Sequence, residues 1–557
     1  MKKERNSEKR GISLIVLIIT IIVIIILAVA VILSIANNNP IKNAKEARFK
    51  NDVMAMQEEL ELLKSSNYAK NNGASYNDPT TGNQIKLSDL TSATKYDKKF
   101  TVKNEVLYFK RGNALTEDEQ KWVKELGIAG EIIAANEPDI SELNKNNTRY
   151  VSWKLVDNTY QIKEDVDLNE EEPINWYDYT EGINHWANIK TTGGGNDCYW
   201  VWIPRYAYCI TEGYHSNEAG EVDIKFLEGT TNTPLDGSSI TISNSSGAGN
   251  WNVHPAFWWD KDNDGVEDEG EQLSGIWVAK FEASSNSSNV VDNPTGADLE
   301  IDGGSDTDID LKIRVKPNVV SWRKITANNI FTVCRNLTTS GNSLENTNNI
   351  DAHMMKNIEW GAVAYLSRSV YGKNDEVWNN PYYNNSTSHS PITGLCGNEL
   401  NGKDGYTTDI SKTYKYNEKG GENASTTGNV YGVYDMAGGV WEYVAGIHAG
   451  GTSDGNQSQL YDSNNSKYVD KYTSYGTSKY GDAVYETSSS ASTTSVGNFD
   501  SSWDFGMSDF VLPPKSNVFI RGGGASVSSI AGVFSFSRNA GIVFDVIGFR
   551  PVMLNSK

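Results

Sequence analysis

Apolar positions in this chain change spacing three times, and each spacing predicts a different kind of element. Residues 12–33 read ISLIVLIITIIVIIILAVAVIL, interrupted only by Ser13 and Thr20. As a helix this run rises about 33 Å, enough to cross the core of a bilayer. After Pro40 the apolar residues thin to a stripe of Phe49, Val53, Met56, Leu60 and Leu63. Its 4-3-4-3 spacing predicts an amphipathic helix that continues a stem over 34–64. Two short strand-like stretches follow at 100–102 and 106–110. A polar helix over 116–126 opens on Thr116 and Glu119, at the spacing of a capping box. These elements predict a small α+β head over 65–149, with no recognisable chemistry.

From 150 to 557 the pattern becomes many short strands, two helices and long Gly/Ser/Asn loops. The aromatic, β-branched stretches 199–208 and 276–283 predict strands, with Pro204 at a sheet edge or bulge. Ile330, Val333, Cys334 and Leu337 share one helical face over 326–337. Met355, Ile358, Ala362, Tyr365 and Leu366 do so over 354–369. Segments 285–309 and 484–502 are polar surface loops. With 15 Trp and 28 Tyr the chain is too aromatic for disorder.

Charge then assigns sides. Lys2, Lys3, Arg5, Lys9 and Arg10 outnumber Glu4 and Glu8 before the apolar run, so residues 1–11 are expected to be cytoplasmic and the remainder extracellular. Net charge is -21 and the first ten residues carry +3, leaving -24 on the outward part. So acidic an ectodomain argues against nucleic acid as a partner. Cys198, Cys209, Cys334 and Cys396 lack metal-ligand spacing; three pairings are open if they oxidise, and buried free thiols are the equal alternative.

One motif has metal-site spacing. The twelve residues 260–271 place Asp260, Asp262, Asp264, Asp268 and Glu271 at positions 1, 3, 5, 9 and 12 of an EF-hand-type loop. The Val266 carbonyl supplies position 7, and Gly265 makes the turn. Hard oxygen donors at this spacing suit Ca2+. No helix flanks the loop, so a calcium staple in a hairpin is expected, with a plain acidic hairpin tip as its rival.

The N-terminal pattern resembles the leader and first helix of type IV pilins. Processing would fall between Gly11 and Ile12. Val16 stands where pilins carry a glutamate used in filament packing, and an uncleaved signal anchor is the alternative reading. Late in the chain come GNVYGVYDMAGGVWEYVA at 428–445, RGGG at 521–524 and IGFRPV at 547–552. In that order they resemble the signature of the formylglycine-generating enzyme, or sulfatase-modifying factor, family. That resemblance implies a C-type-lectin-like fold over 150–557. The expected whole is therefore an α+β protein, with a sulfatase-modifying-factor-like, C-type-lectin-like ectodomain behind a transmembrane pilin-like helix and a small head.

The family's reactive groups are missing. Its oxidases bind copper with two cysteines, whose slots fall here at Val527 and Gly532, and a second branch holds iron in a histidine pattern absent from this chain. Neither copper nor iron is expected, and no catalytic residue is assigned. Between the two landmarks, 525–546 mixes adaptable polar and rigid aromatic groups, as binding surfaces do. Similar placement occurs in the variable proteins of diversity-generating retroelements. The expected contact residues are Ser526, Ser528, Ser529, Phe534, Phe536, Arg538, Asn539 and Asp545. Core packing is the rival role for the aromatics. The expectation is thus a non-catalytic cell-surface binder of an extracellular protein or glycan, tethered to a bacterial membrane. Its rivals are a divergent oxidase of the same family and a minor pseudopilin that assembles with pilus subunits.

Overall fold

The computed structural model describes residues 40–70, 85–103, 106–109, 115–128, 135–170, 176–216, 219–268, 270–290, 292–294, 306, 308–383, 391–398, 405–451, 453–472, 480–487, 502–503, 518–525 and 531–557. The apolar run 12–33, its junction at Gly11 and Ile12, and Ser526, Ser528 and Ser529 lie outside the described residues. Among the described residues no helix is long and apolar enough to cross a membrane. The fold is mixed α+β, rich in sheet and poor in helix.

Two compact units divide at Ile132/Ile133. In the first, the helix Pro40–Lys70 turns Phe49, Val53, Met56 and Leu60 into a core shared with Phe100, Leu107, Phe109, Trp122 and Val123. That face is the apolar stripe read from the sequence. Glu59 fastens the helix to the turn Thr91–Ala93. Its two oxygens accept from the backbone and hydroxyl groups of Thr91 and Ser92, which lower its carboxyl to about pKa 2. The helix Glu117–Glu125 starts with the reciprocal cap: Glu119 N–H donates to the Thr116 hydroxyl at 3.3 Å, and Thr116 N–H to the Glu119 carboxylate at 3.0 Å.

The second unit is built on a seven-stranded antiparallel sheet. Its strand order is Ile350–Met354, Pro551–Asn555, Gly275–Ala279, Cys198–Pro204, Asn188–Thr191, Thr148–Val156, Thr159–Asp167. Trp202 and Trp277 stand opposite each other with rings 5.2 Å apart. Their indole N–H groups donate to the carbonyls of Asn136 and Asp139. Those bonds tie 135–140 to the larger unit. The sheet likewise takes up the strand at 148–156, so the larger body begins earlier than the boundary at 149/150 read from the sequence.

The stretch 199–208 is not one strand. It breaks at Arg205 into Cys198–Pro204, in the large sheet, and Tyr206–Glu212, which pairs with Glu221–Phe226 and Asn252–Val253 in another. Pro204 ends its strand, opposite Gly275, where the missing N–H interrupts no further ladder. The helices Ala327–Arg335 and Asn357–Ser367 fall where the periodicity puts them. The second is apolar on nearly every side and buried accordingly.

The late landmarks converge in one sheet. Trp441–His448 pairs with Asp470–Tyr472, Val518–Arg521 and Ile547–Gly548, and Val518–Arg521 pairs in turn with Phe536–Asn539. Segments more than a hundred residues apart, as Trp441 and Ile547 are, thus become neighbours in one sheet.

Candidate functional site

The acidic loop 260–271 is closed at its base. Trp258 bridges Gln272, and the Trp259 N–H donates to the Glu271 carbonyl at 2.8 Å. Inside, the chain wraps its own carboxylates. Asp260 accepts from the N–H groups of Asp264 and Gly265, both at 3.0 Å, and Asp264 accepts from Val266 N–H at 2.7 Å. Gly265 sits at φ +79°, where a side chain would strain the turn. Asn263, also left-handed, ties the tip to a neighbouring turn by accepting from the Ser466 hydroxyl and the Lys467 N–H, each at 2.8 Å.

These constraints bring carboxylate oxygens of Asp260, Asp262 and Asp264 within 4.8 Å of one another. Desolvation and repulsion from Asp264, Glu271 and Asp260 raise the Asp262 carboxyl above its ordinary range. Glu271 is buried. Burial pushes its carboxyl up, but bonds from Asp268 N–H, the Trp258 indole and Lys261 N–H outweigh that and hold it below the usual value. Asp268 offers Glu271 its N–H, and Val266 stands exposed beside the cluster. Three of the six expected ligand residues therefore converge. The donors are all hard oxygens around a preformed turn, a set that fits Ca2+.

The segment expected to form a contact face divides in two. Phe534 and Phe536 are core residues, packed on Trp503 and Phe519 with ring centroids 4.8 and 4.9 Å away. That burial takes both rings off any exposed face, a correction that follows from pairing 536–539 into the sheet and packing Phe534 on Trp503. Arg538, Asn539 and Asp545 are half-buried. Beyond them, Ile542, Val543 and Phe544 keep 38, 43 and 43% of their surfaces exposed. Three large apolar residues in a row at a surface are informative, because leaving them in water forgoes about 1 kcal/mol each. Their backbone is nonetheless pinned. Gly541 and Phe544 carbonyls accept from Ala327 and Lys324 N–H, and the Tyr443 hydroxyl lies within bonding distance of both the Ile542 carbonyl and the Asn539 side chain. Periodicity could not single these three out, since a V-F run reads equally as buried strand.

The larger unit also holds a buried charge cluster. Arg550 makes a two-pronged ion pair with Glu442 and donates to the carbonyls of Ala279 and Tyr434. Asp435 accepts from Asn380 and Gly394 N–H. Glu282 accepts from Val440 N–H and the Ser321 hydroxyl. Burial, then repulsion from Asp435 and Glu442, pushes the Glu282 carboxyl well up. Arg521 is also fully buried, donating to Asn357 and to the carbonyls of Asp482 and Ala483. Neither landmark arginine faces solvent.

All four cysteines are free and buried. Burial pushes Cys198 and Cys396 up to about 12 and raises Cys334 well above the ordinary thiol value. At Gly532, an added Cβ would lie 2.2 Å from that of Ser502.

No protein-family model matches this chain, and no curated protein matches it.

Proposed function

We propose that this protein is a non-catalytic, membrane-tethered recognition protein of the bacterial cell surface, whose contact face centres on Ile542, Val543 and Phe544. The carrying observation is that trio: exposed apolar side chains on a backbone held by neighbouring elements. Such an arrangement suits binding, because the loop loses little freedom when a partner covers it. Half-buried Arg538, Asn539 and Asp545 supply the polar rim. The landmark motifs support a sulfatase-modifying-factor-like, C-type-lectin-like body, and the buried, protonated thiols leave a divergent oxidase without an accessible thiolate. The leader and the apolar run 12–33 support the tether and the outward orientation.

In this reading the acidic loop is a calcium staple. Asp260, Asp262 and Asp264 would hold the ion, with Glu271 released from Trp258 to complete the shell. Bound Ca2+ would neutralise the crowded carboxylates and stiffen the hairpin.

The test is binding of the full chain to arrays of extracellular proteins and glycans, beside a variant carrying Ile542→Ser, Val543→Ser and Phe544→Ser. The reading expects a protein or glycan bound by the parent and lost in the variant, with an unchanged melting temperature. Equal binding by both would refute the face.

A further inference from the structure

We propose that Glu486 is a proton-binding clasp, which fastens the segment 480–487 more tightly in mildly acidic than in neutral solution. It uses none of the residues of the contact face or the acidic loop. Glu486 is 1% exposed, and its carboxylate gathers three other elements. Oε2 accepts from the Tyr208 hydroxyl at 2.7 Å, the Tyr365 hydroxyl at 2.9 Å and the Gly481 N–H at 2.8 Å. Oε1 accepts from the Ser246 hydroxyl at 3.0 Å. Tyr208 belongs to the strand Tyr206–Glu212, Tyr365 to the helix Asn357–Ser367, and Ser246 to the loop 243–250. One side chain therefore holds a strand, a helix and a loop to its own segment.

The same atoms leave a place for a proton. Oε2 already receives three donors, so the proton belongs on Oε1. There it would donate to the Ser246 oxygen, whose own hydrogen turns to the Tyr214 hydroxyl 2.9 Å away. Hydroxyls both donate and accept, so every group in this chain keeps a partner in either state. Half-buried Tyr214 carries the chain of hydroxyls toward solvent.

The surrounding charges favour uptake. None of the ion pairs among the described residues includes Glu486, and a second carboxylate, Asp482, is buried four residues away. Arg521 directs its terminal amino groups to Asn357 and to the carbonyls of Asp482 and Ala483. His254, whose ring lies against Tyr208 and Tyr365, is kept neutral by burial, which lowers it to about 3. His215 faces the backbone: its Nδ1 lies 2.9 Å from the Tyr485 carbonyl, and its N–H donates to the Glu486 carbonyl at 2.7 Å.

Burial raises Tyr208, Tyr365 and Tyr472 well above the usual phenol value, so each stays a neutral donor, the last of them to Asp482 at 3.2 Å. The segment's own Tyr480 is raised by burial too. Burial likewise raises the Glu486 carboxyl; bonds from Gly481 and Tyr208 oppose it, repulsion from Asp482 adds to it, and the outcome is about 6. A carboxyl raised in the folded state binds its proton more tightly there than in an opened segment. The added hold is complete below the ordinary glutamate value, 4.5, and is lost as pH rises through about 6.

Hydrogen-exchange mass spectrometry of the full chain, corrected for intrinsic exchange rates, tests this. Opening of 480–487 should be roughly ten-fold rarer at about pH 5 than at about pH 7.5. Glu486→Gln imitates the protonated acid and should hold the segment equally at both. Asp482→Asn removes the repelling charge and should move the midpoint down, toward the ordinary glutamate value. Protection of 480–487 that is independent of pH in the parent overturns the proposal. So does a pH dependence that Glu486→Gln leaves intact, which would belong to His215 or another group. Should Glu486→Gln fail to fold, a midpoint unmoved by Asp482→Asn overturns it instead.

Discussion

At the scale of single residues, the buried cluster of Glu282, Asp435, Glu442 and Arg550 concentrates the largest penalties. Arg550 pairs with Glu442 there, and burial pushes the neighbouring Glu282 carboxyl well up. Replacing it by Met leaves Glu442 charged in a dry interior. Arg550→Met should therefore cost about 3–5 kcal/mol in denaturant unfolding. Gly439 tells the same story sterically. Its φ is +66°, and an added Cβ would lie 2.3 Å from a Glu282 oxygen. Asn tolerates left-handed backbone, so for Gly439→Asn the collision decides the outcome. Gly439→Asn should lose about 1–3 kcal/mol, read as a lowered melting temperature; an unchanged melting temperature would mean that Glu282 can swing aside.

At the scale of elements, the acidic hairpin was legible in the sequence because its expected ligands are local: five acids and the Val266 carbonyl within twelve residues. The sequence could not give the state of Glu271, whose oxygens are held by Trp258, Lys261 and Asp268. Calcium must compete with those bonds. Added Ca2+ should raise the melting temperature and shift indole fluorescence through Trp258, and Trp258→Phe should remove that shift. At a hundred times its dissociation constant the ion should add about 2.7 kcal/mol. Paired Asp260→Asn and Asp264→Asn substitutions should abolish both responses; if they persist, calcium binds elsewhere. The contact face was less legible. Phe534, Phe536, Val543 and Phe544 are alike in a sequence; strand pairing buries Phe536 and packing on Trp503 buries Phe534, while the others stay outside.

At the scale of the whole molecule, buried His353 joins the large sheet to the helix Asn357–Ser367 by bonding Asp351 at 2.8 Å and Glu359 at 3.0 Å. Burial pulls its pKa down, but the two carboxylates outweigh that and hold it above the usual imidazole value. Asp351 and Glu359 are correspondingly lowered, their bonds to His353 and neighbouring cations outweighing burial. A raised histidine stabilises fully below its unfolded pKa, about 6.5, and that stability is lost as pH rises through the higher folded value. The lowered carboxylates contribute above about pH 4 and lose that contribution on acidification. Thermal melts of wild type and His353→Gln should therefore differ most near pH 5–6 and converge as the solution becomes alkaline. A gap independent of pH would show that the histidine is neutral.

What the sequence determined by itself was whatever depends on neighbours along the chain: the apolar stripe of Pro40–Lys70, the Thr116–Glu119 cap, the two core helices, the acidic loop. Periodicity, capping and turn chemistry act over a few residues, so they survive reading in one dimension. Only tertiary structure decided the break at Arg205, the placement of 135–149 in the larger unit, and the inward turn of Phe534 and Phe536. Each rests on which distant segment supplies a strand partner or a countercharge. That choice is made by burial across the whole core, and no local pattern encodes it.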